Sequence, residues 1–459
     1  MEKPVCIIGA GLAGSEAALQ LAARGIDVRL HEMRPVKETA VHKTALCAEL
    51  VCSNSLKSMK ATTAAGMLKE ELKALQSFVF RCAEGNAVPA GGALAVNREQ
   101  FAQAVTRLIE ESEHIELVRE EVASIEGIVA DSRAVVLATG PLTSDALALN
   151  IEKLTGNDHL AFFDAAAPIV MADSLDYAKL FRQSRYEDAS GDSGDYLNAP
   201  MNREEYGQFI EALLDARRVI LKDFESRDLF QACQPIEEIA RAGCDAPRFG
   251  PLKPVGLTDP RTGKRPWAAV QLRAENGEGT CYNLVGFQTN LAFDEQKRVF
   301  SLIPGLEHAE FARFGVMHRN TFIDAPRLLD EGLALVSEGA KELGVPIHVA
   351  GQLGGTEGYC EAIRSGIHVA LAVAAESKQC TVPPVPRETV FGALLAYATN
   401  PDTNPYQPMH VNFGILPPLD PPVRNKSLRY EAYAKRGAEA LSAYCAALEA
   451  AGLSLKGDA

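Results

Sequence analysis

Apolar positions run unbroken from Val5 to Ile8, stop at Gly9, and recur at helical spacing as Ala17, Ala18, Leu21 and Ala22. Val28, Leu30 and Glu32 belong to a second strand, so the stretch predicts strand, tight turn, helix, strand. "AAGMLKEELKAL" and "REQFAQAVTRLIEES" predict amphipathic helices, the second with Phe101, Val105 and Leu108 on one face. "SRAVVLATGP" predicts a buried strand at Ala134–Leu137 that ends in Ala138-Thr139-Gly140. From 151 to about 311 the pattern changes. Loops rich in Gly, Pro, Asp and Ser alternate there with strand-like stretches such as "AAVQLR" and "YNLVGF". "IHVAGQLGGTEGYCEAIRSGIHVALAVA" then predicts strand, glycine-rich loop and helix, and "YEAYAKRGAEALSAYCAALEAAG" a packed terminal helix.

These patterns point to the α/β class. The expectation is a Rossmann-like, glutathione-reductase-like FAD-binding domain built from residues 1–150 and 312–459 and interrupted by a mixed α/β insertion at 151–311. The nucleotide signals sit at both ends. FAD needs one site for its ADP half and another for its ring, whereas NAD needs only the first.

Gly9, Gly11 and Gly14 form G-x-G-x-x-G between strand and helix. The first glycine permits the turn, the second lets backbone approach a pyrophosphate, and the third lets the helix pack close to its strand. The helix N-terminus then faces the phosphates. Glu32 follows Gly14 by 18 residues, near the roughly 20 expected of an acid that binds a ribose hydroxyl. A glycine-rich turn without a ligand is the bland alternative. Thr139 and Gly140 suit a second approach to the nucleotide or an ordinary strand-end turn. Gly351, Gly354, Gly355 and Gly358 crowd the C-terminal loop. The helix N-terminus after it would point at the electron-rich pyrimidine edge of a flavin, or be a plain strand–loop–helix unit. Tyr359 stacks on a flavin or folate ring, or packs within the loop.

Composition narrows the classes. The chain has 459 residues, 47% of them hydrophobic, enough for a substantial core. It holds no run of about 18 apolar residues, so no membrane span is expected. Ten scattered cysteines without a CxxC pair suit a reducing cytoplasm, and no zinc-ligand spacing is visible. The formal net charge of −14 argues against loose binding to nucleic acid. "KPVGLTDPRTGKRP", with Lys253, Arg261, Lys264 and Arg265, is a local basic exception, or else a solvated loop.

The chain resembles the bacterial folate- and FAD-dependent tRNA (uracil-5-)methyltransferases, and also the larger tRNA wobble-uridine modification flavoproteins, whose long helical C-terminal domain it lacks. The likeness runs over essentially the whole length. It rests on "CIIGAGLAGSEAA", "ELVCSNSL", "VPAGGALAV", "DAAAPIV", "GPLKPVGL", "TGKRP", "YNLVGFQT", "GVMHRNTFI", "AGQLGGTEGY" and "QPMHVNFGILPPL". The resemblance implies methylation of a T-loop uridine of tRNA at C5. The carbon comes from 5,10-methylenetetrahydrofolate, carried by FAD that NAD(P)H has reduced; some relatives act on ribosomal RNA. It also implies two active-site cysteines, which fall on Cys52 and Cys233. His318, Arg319 and Asn320 match a family segment that could bind phosphate or flavin, and Lys253 could meet a phosphate or the folate tail.

The chemistry explains the thiols. C5 of uracil is a poor nucleophile until a thiolate adds to C6, after which a base must remove the C5 proton. The expected assignment is Cys233 as nucleophile and Cys52 as base or guardian of the one-carbon unit, with the reverse open. Pro235 suits the first turn of a helix that begins just beyond Cys233. The chain departs from the family pattern at Cys47, Asn97 and Cys360. Cys47 makes C-x4-C with Cys52, the spacing of a flavoprotein redox disulfide. A flavin oxidoreductase on a small substrate and a non-catalytic FAD-containing RNA-binding protein are therefore the competing functions. RNA dependence excludes the first of these, and a requirement for the two cysteines excludes the second.

Overall fold

The computed structural model describes residues 2–39, 41–156, 160–165, 167–185, 194–219, 234–315, 317–404 and 406–454; the side chains of 160–165 and 317–320 are outside that description. Cys233 is also outside it.

Five parallel strands form the first layer, in the order Ile347–Val349, Ala134–Leu137, Val5–Ile8, Val28–Glu32, Ile115–Arg119. All four residues of Val5–Ile8 and of Ala134–Leu137 are buried, as strands covered on both faces must be. The register sets Ile8 opposite Leu137 and Leu137 opposite Val349. Gly9, Ala138 and Ala350 therefore leave the sheet at the same, C-terminal edge. Helix Leu12–Ala22 is buried along nearly its whole length and packs against helix Tyr359–Lys378, which comes from the other end of the chain. The two terminal segments thus share one core, in which Ile7, Leu30, Phe101, Val136, Ile363 and Phe391 are all buried.

The middle of the chain builds a second core around a six-stranded sheet. Its order is Phe181–Arg182, Tyr196–Met201, Ala268–Ala274, Cys281–Leu284, Ile169–Met171, Phe311–Arg313, with antiparallel pairing throughout. Helix Arg203–Asp215 starts from a capping box between Asn202 and Glu205 and lays Phe209 against Phe287. Strands Leu160–Ala165 and Met317–Phe322 pair antiparallel. Both lie between segments of the two cores in the chain. Arg313 ends the last strand of the second sheet, two residues past the expected boundary at 311.

The expected terminal helix spans Lys426–Ala450, capped by the Asn425 side chain, and packs on helix Ala64–Ala74. Among the described residues no helix is long and apolar enough to cross a membrane.

Candidate active site

A cavity of about 360 Å³ opens at the C-terminal edge of the parallel sheet, where open α/β sheets take their ligands. Gly9, Gly11, Glu32, Cys52, Thr139, Gly140, Gly351 and Tyr359 line it. The three fingerprint glycines differ in what they permit. Gly9 has φ +99°, and a Cβ there would sit 2.6 Å from the Ala138 carbonyl. A Cβ on Gly14 would lie 1.9 Å from the Gly9 carbonyl oxygen, so only glycine lets the helix approach. A Cβ on Gly11 would meet no protein atom within 4 Å. The protein itself does not need glycine there; a ligand pressed against the helix N-terminus would.

Glu32 ends its strand on the cavity wall. Its carboxylate accepts from the Ala10 amide (3.1 Å) and from the Arg34 amide and Nε (3.1 and 2.8 Å). Burial would raise its pKa, but the bonds and charge of Arg34 outweigh that and hold the carboxyl below its usual range. It is thus an ionised acceptor with lone-pair capacity left. Across the cavity, helix Tyr359–Lys378 begins after Gly358 and turns its first residues into the same space. Gly351–Gly354 forms a short 3₁₀ turn rather than an open loop. Gly354 packs near Val349 and Leu329, and Gly355 lies against the Tyr406 ring. Neither lines the cavity, and nor does Lys253.

Cys52 is half-buried in the loop between the Rossmann half and a small three-stranded sheet, Ser55–Ser58, Ala93–Val96 and Ala87–Val88. The Tyr359 hydroxyl accepts the amides of Cys52 (3.0 Å) and Ser53 (3.1 Å). Two arginines hold the carbonyl side of this loop. Arg98 Nη1 donates to Leu50 O (2.8 Å), and Arg313 donates to Val51 O (3.0 Å) and Cys52 O (3.3 Å). Arg98 is paired in turn with Glu275 at 2.6 Å. Asn54 completes the clamp: its amide donates to Val96 O and Ala274 O, and its oxygen accepts from Arg273 Nε (2.8 Å). Groups from both cores therefore fix the Cys52 backbone.

The local electrostatics follow from this packing. Burial and the nearby Cys52 push the Tyr359 phenol above its ordinary range. Burial, with Arg98 beside it, pulls Arg313 down to about 10. Burial works against Arg98 too, but the Glu275 charge holds its pKa above the ordinary value.

Cys47 is a free thiol, fully buried in the first core, pushed up to about 11 by burial, and off the cavity wall. The C-x4-C spacing is thus not joined as a disulfide. Cys360 does line the cavity, and burial pushes its thiol to about 11. Asn97 caps helix Arg98–Glu110 by accepting the Gln100 amide (3.2 Å), which an Asp would do equally. Pro235 stands at the N-cap of helix Ile236–Ala242, one place before the first turn expected for it. His318, Arg319 and Asn320 lie on strand Met317–Phe322, opposite Asp164, Phe163 and Phe162.

Arg98, Arg313, Glu275 and the Asn54–Arg273 pair escaped the sequence reading. Arg98 and Glu275 are 177 residues apart, and Arg313 is 261 residues from Cys52. No local spacing signals contacts of that range.

The family model of glucose inhibited division protein A matches residues 4–381. The methylenetetrahydrofolate–tRNA-(uracil-5-)-methyltransferase TrmFO of Desulforudis audaxviator is 51% identical over 445 residues, covering 97% of this chain and 98% of its own. That of Symbiobacterium thermophilum is 50% identical over 448 residues, covering 96% and 97%. The form II crystal structure of Aquifex aeolicus GidA superposes with a TM-score of 0.68 at 15% identity, covering 100% of this chain and 74% of that one, which speaks for the fold alone. The chain belongs to the glucose inhibited division protein A family and to the family of the methylenetetrahydrofolate–tRNA-(uracil-5-)-methyltransferases.

Proposed function

We propose that this chain methylates C5 of the T-loop uridine of tRNA in the cytoplasm, with 5,10-methylenetetrahydrofolate as carbon donor and FAD reduced by NAD(P)H. The observation that carries this reading is Cys52 on the wall of the same cavity as the dinucleotide fingerprint, in a chain about half identical to named methyltransferases along its length.

The residues present fit FAD. Gly9, Gly11 and the N-terminus of helix Leu12–Ala22 suit the pyrophosphate, Glu32 the adenosine ribose, and Thr139 and Gly140 a second contact along the nucleotide. Gly351, Tyr359 and the start of helix Tyr359–Lys378 suit the ring. Gly354 and Gly355 serve the packing beneath them. When bound, reduced FAD would carry the one-carbon unit taken from 5,10-methylenetetrahydrofolate and would supply the electrons that complete the methyl group.

The chain's own groups activate the uracil. In this scheme Cys233 adds to C6: an S–C6 bond forms, and the C5–C6 pair shifts so that C5 becomes nucleophilic. Cys52 takes the C5 proton once C5 carries its new carbon, and loss of the Cys233 thiolate restores the ring. Tyr359, Arg98 and Arg313 hold the Cys52 backbone while this happens. His318, Arg319, Asn320 and Lys253 are proposed phosphate or substrate contacts from the family resemblance. The two cores support a division into residues 1–150 with 312–459 for the cofactor and 151–311 as the insertion.

Nucleoside mass spectrometry of RNA from a deletion strain tests the substrate. Loss of 5-methyluridine from tRNA is expected. Loss from ribosomal RNA alone would move the activity to that RNA, and no loss would leave the small-substrate oxidoreductase as the better account.

A further inference from the structure

The most exposed large apolar side chain among the described residues is Phe249, at 79%. It ends the 3₁₀ turn Ala246–Phe249 on the second core. That turn is well anchored. Arg248 Nε donates to the Trp267 carbonyl at 3.0 Å, and its guanidinium lies 3.5 Å from the Trp267 ring centroid. Arg248 also pairs with Asp245, and the Leu252 amide returns to Pro247 O at 2.8 Å. The backbone therefore holds the Phe249 ring out in water.

The cations around it fall into two kinds. Arg248 and Arg261 are paired with Asp245 and Asp259. Lys253, Lys264 and Arg265 make no ion pair among the described residues, and Lys264 and Arg265 are exposed. Arg265 stands two residues before Trp267, against which Arg248 is stacked, and Lys253 follows Phe249 by four residues in the chain. The segment after this turn reaches toward the cavity wall. Pro251 packs on Gly286, where a Cβ would come within 2.7 Å of it, and Gln288, two residues on, lines the cavity wall.

A uridine can present C5 to a thiol on a cavity wall only after leaving its stack, which strips its neighbours of a stacking partner. Aromatic side chains replace that partner, and unpaired cations neutralise the flanking phosphates. On a chain of net charge −14 such cations must be local. We infer that the Phe249 turn with Lys253, Lys264 and Arg265 is the dock for an unpaired RNA segment beside the target uridine, Phe249 stacking on one of its bases. This rests on the methyltransferase reading above and adds the surface through which the RNA is held.

The test uses the full-length, flavin-loaded protein and an unmodified tRNA transcript. Affinity is measured by fluorescence anisotropy over a range of salt concentrations, beside methyl transfer. Phe249→Ala weakens binding about tenfold, the scale of one base–aromatic stack, and Phe249→Trp restores it. Lys264→Glu with Arg265→Glu weakens binding further and lowers the salt slope by roughly 1.5. Flavin content and melting temperature stay level, since all three side chains are exposed. Wild-type methylation with unchanged binding by both variants overturns the inference. So does a Phe249→Ala variant that alters oligomeric state but not RNA binding, which assigns the surface to a second copy of the chain. A wild-type protein that neither binds nor methylates tRNA brings down the functional reading, and this inference with it.

Discussion

The Tyr359 hydroxyl accepts the backbone amide of Cys52 at 3.0 Å, joining the first residue of helix Tyr359–Lys378 to the thiol-bearing loop 307 residues earlier. Tyr359 lines the cavity, and its hydroxyl oxygen sets the loop. The two roles the sequence leaves open for Tyr359, stacking on a flavin or folate ring and packing within the loop, both concern the ring and leave the hydroxyl bond to be explained.

Tyr359→Phe separates the ring from the hydroxyl. The ring remains, but the Cys52 and Ser53 amides lose their acceptor, at about 1–3 kcal/mol for a buried donor left unmade. Flavin should be retained. Alkylation of Cys52 by iodoacetamide, followed by peptide mass spectrometry, should change in rate, and kcat for methyl transfer should fall more than KM for folate changes. Unchanged alkylation and kcat would leave Tyr359 a stacking residue only.

The fingerprint glycines give a second contrast. Gly11→Ala should leave the melting temperature of the flavin-free protein nearly unchanged, because its Cβ meets no protein atom within 4 Å. It should still weaken FAD binding, measured by flavin fluorescence. Gly14→Ala should destabilise the whole chain by about 1–3 kcal/mol, the usual cost of overpacking, since its Cβ would press on the Gly9 carbonyl. Glu32→Ala should weaken FAD by about 1.5–3 kcal/mol, the worth of a charge-assisted hydrogen bond. Tight FAD binding by the Gly11 and Glu32 variants would remove the nucleotide from this end of the cavity.

Glu237 predicts a pH dependence. Its fully buried carboxyl accepts the Asn290 amide (2.6 Å) and the Thr289 hydroxyl (3.0 Å). Burial pushes it up to about 7, against an ordinary value near 4.5. Folding therefore favours the protonated form. The stability this group contributes is complete below about pH 4.5 and is lost as pH rises through about 7, up to about 3 kcal/mol in all. Melting curves from pH 5 to pH 8 should fall more steeply for the wild type than for Glu237→Gln. Parallel curves would contradict the assignment.

Much of this was legible in the sequence because it is local. The strand Val5–Ile8, the turn at Gly9 and the helix from Leu12 follow from contiguous residues, as does the strand Ala134–Leu137. The C-terminal glycines were only half legible: Gly351 reaches the cavity, but Tyr406 and Leu329, distant in sequence, draw Gly355 and Gly354 into packing. Helix Val390–Ala398 went unread because it is apolar all round and shows no polar face. The Arg98–Glu275 and Arg273–Asn54 ties join the two cores, and nothing near any of these residues encodes its partner.

The central claim is a thiol-dependent methyl transfer to tRNA. The direct measurement is 5-methyluridine formed in an unmodified tRNA transcript by flavin-loaded protein with NAD(P)H and 5,10-methylenetetrahydrofolate, for wild type, Cys233→Ala and Cys47→Ala. Wild type and Cys47→Ala should each place one 5-methyluridine in the T-loop, because Cys47 is buried away from the cavity. Cys233→Ala should keep its flavin, form no 5-methyluridine, and fail to trap RNA carrying 5-fluorouridine. If Cys47→Ala abolishes the reaction while Cys233→Ala spares it, the mechanism is wrong and a redox pair at Cys47 and Cys52 is the better account.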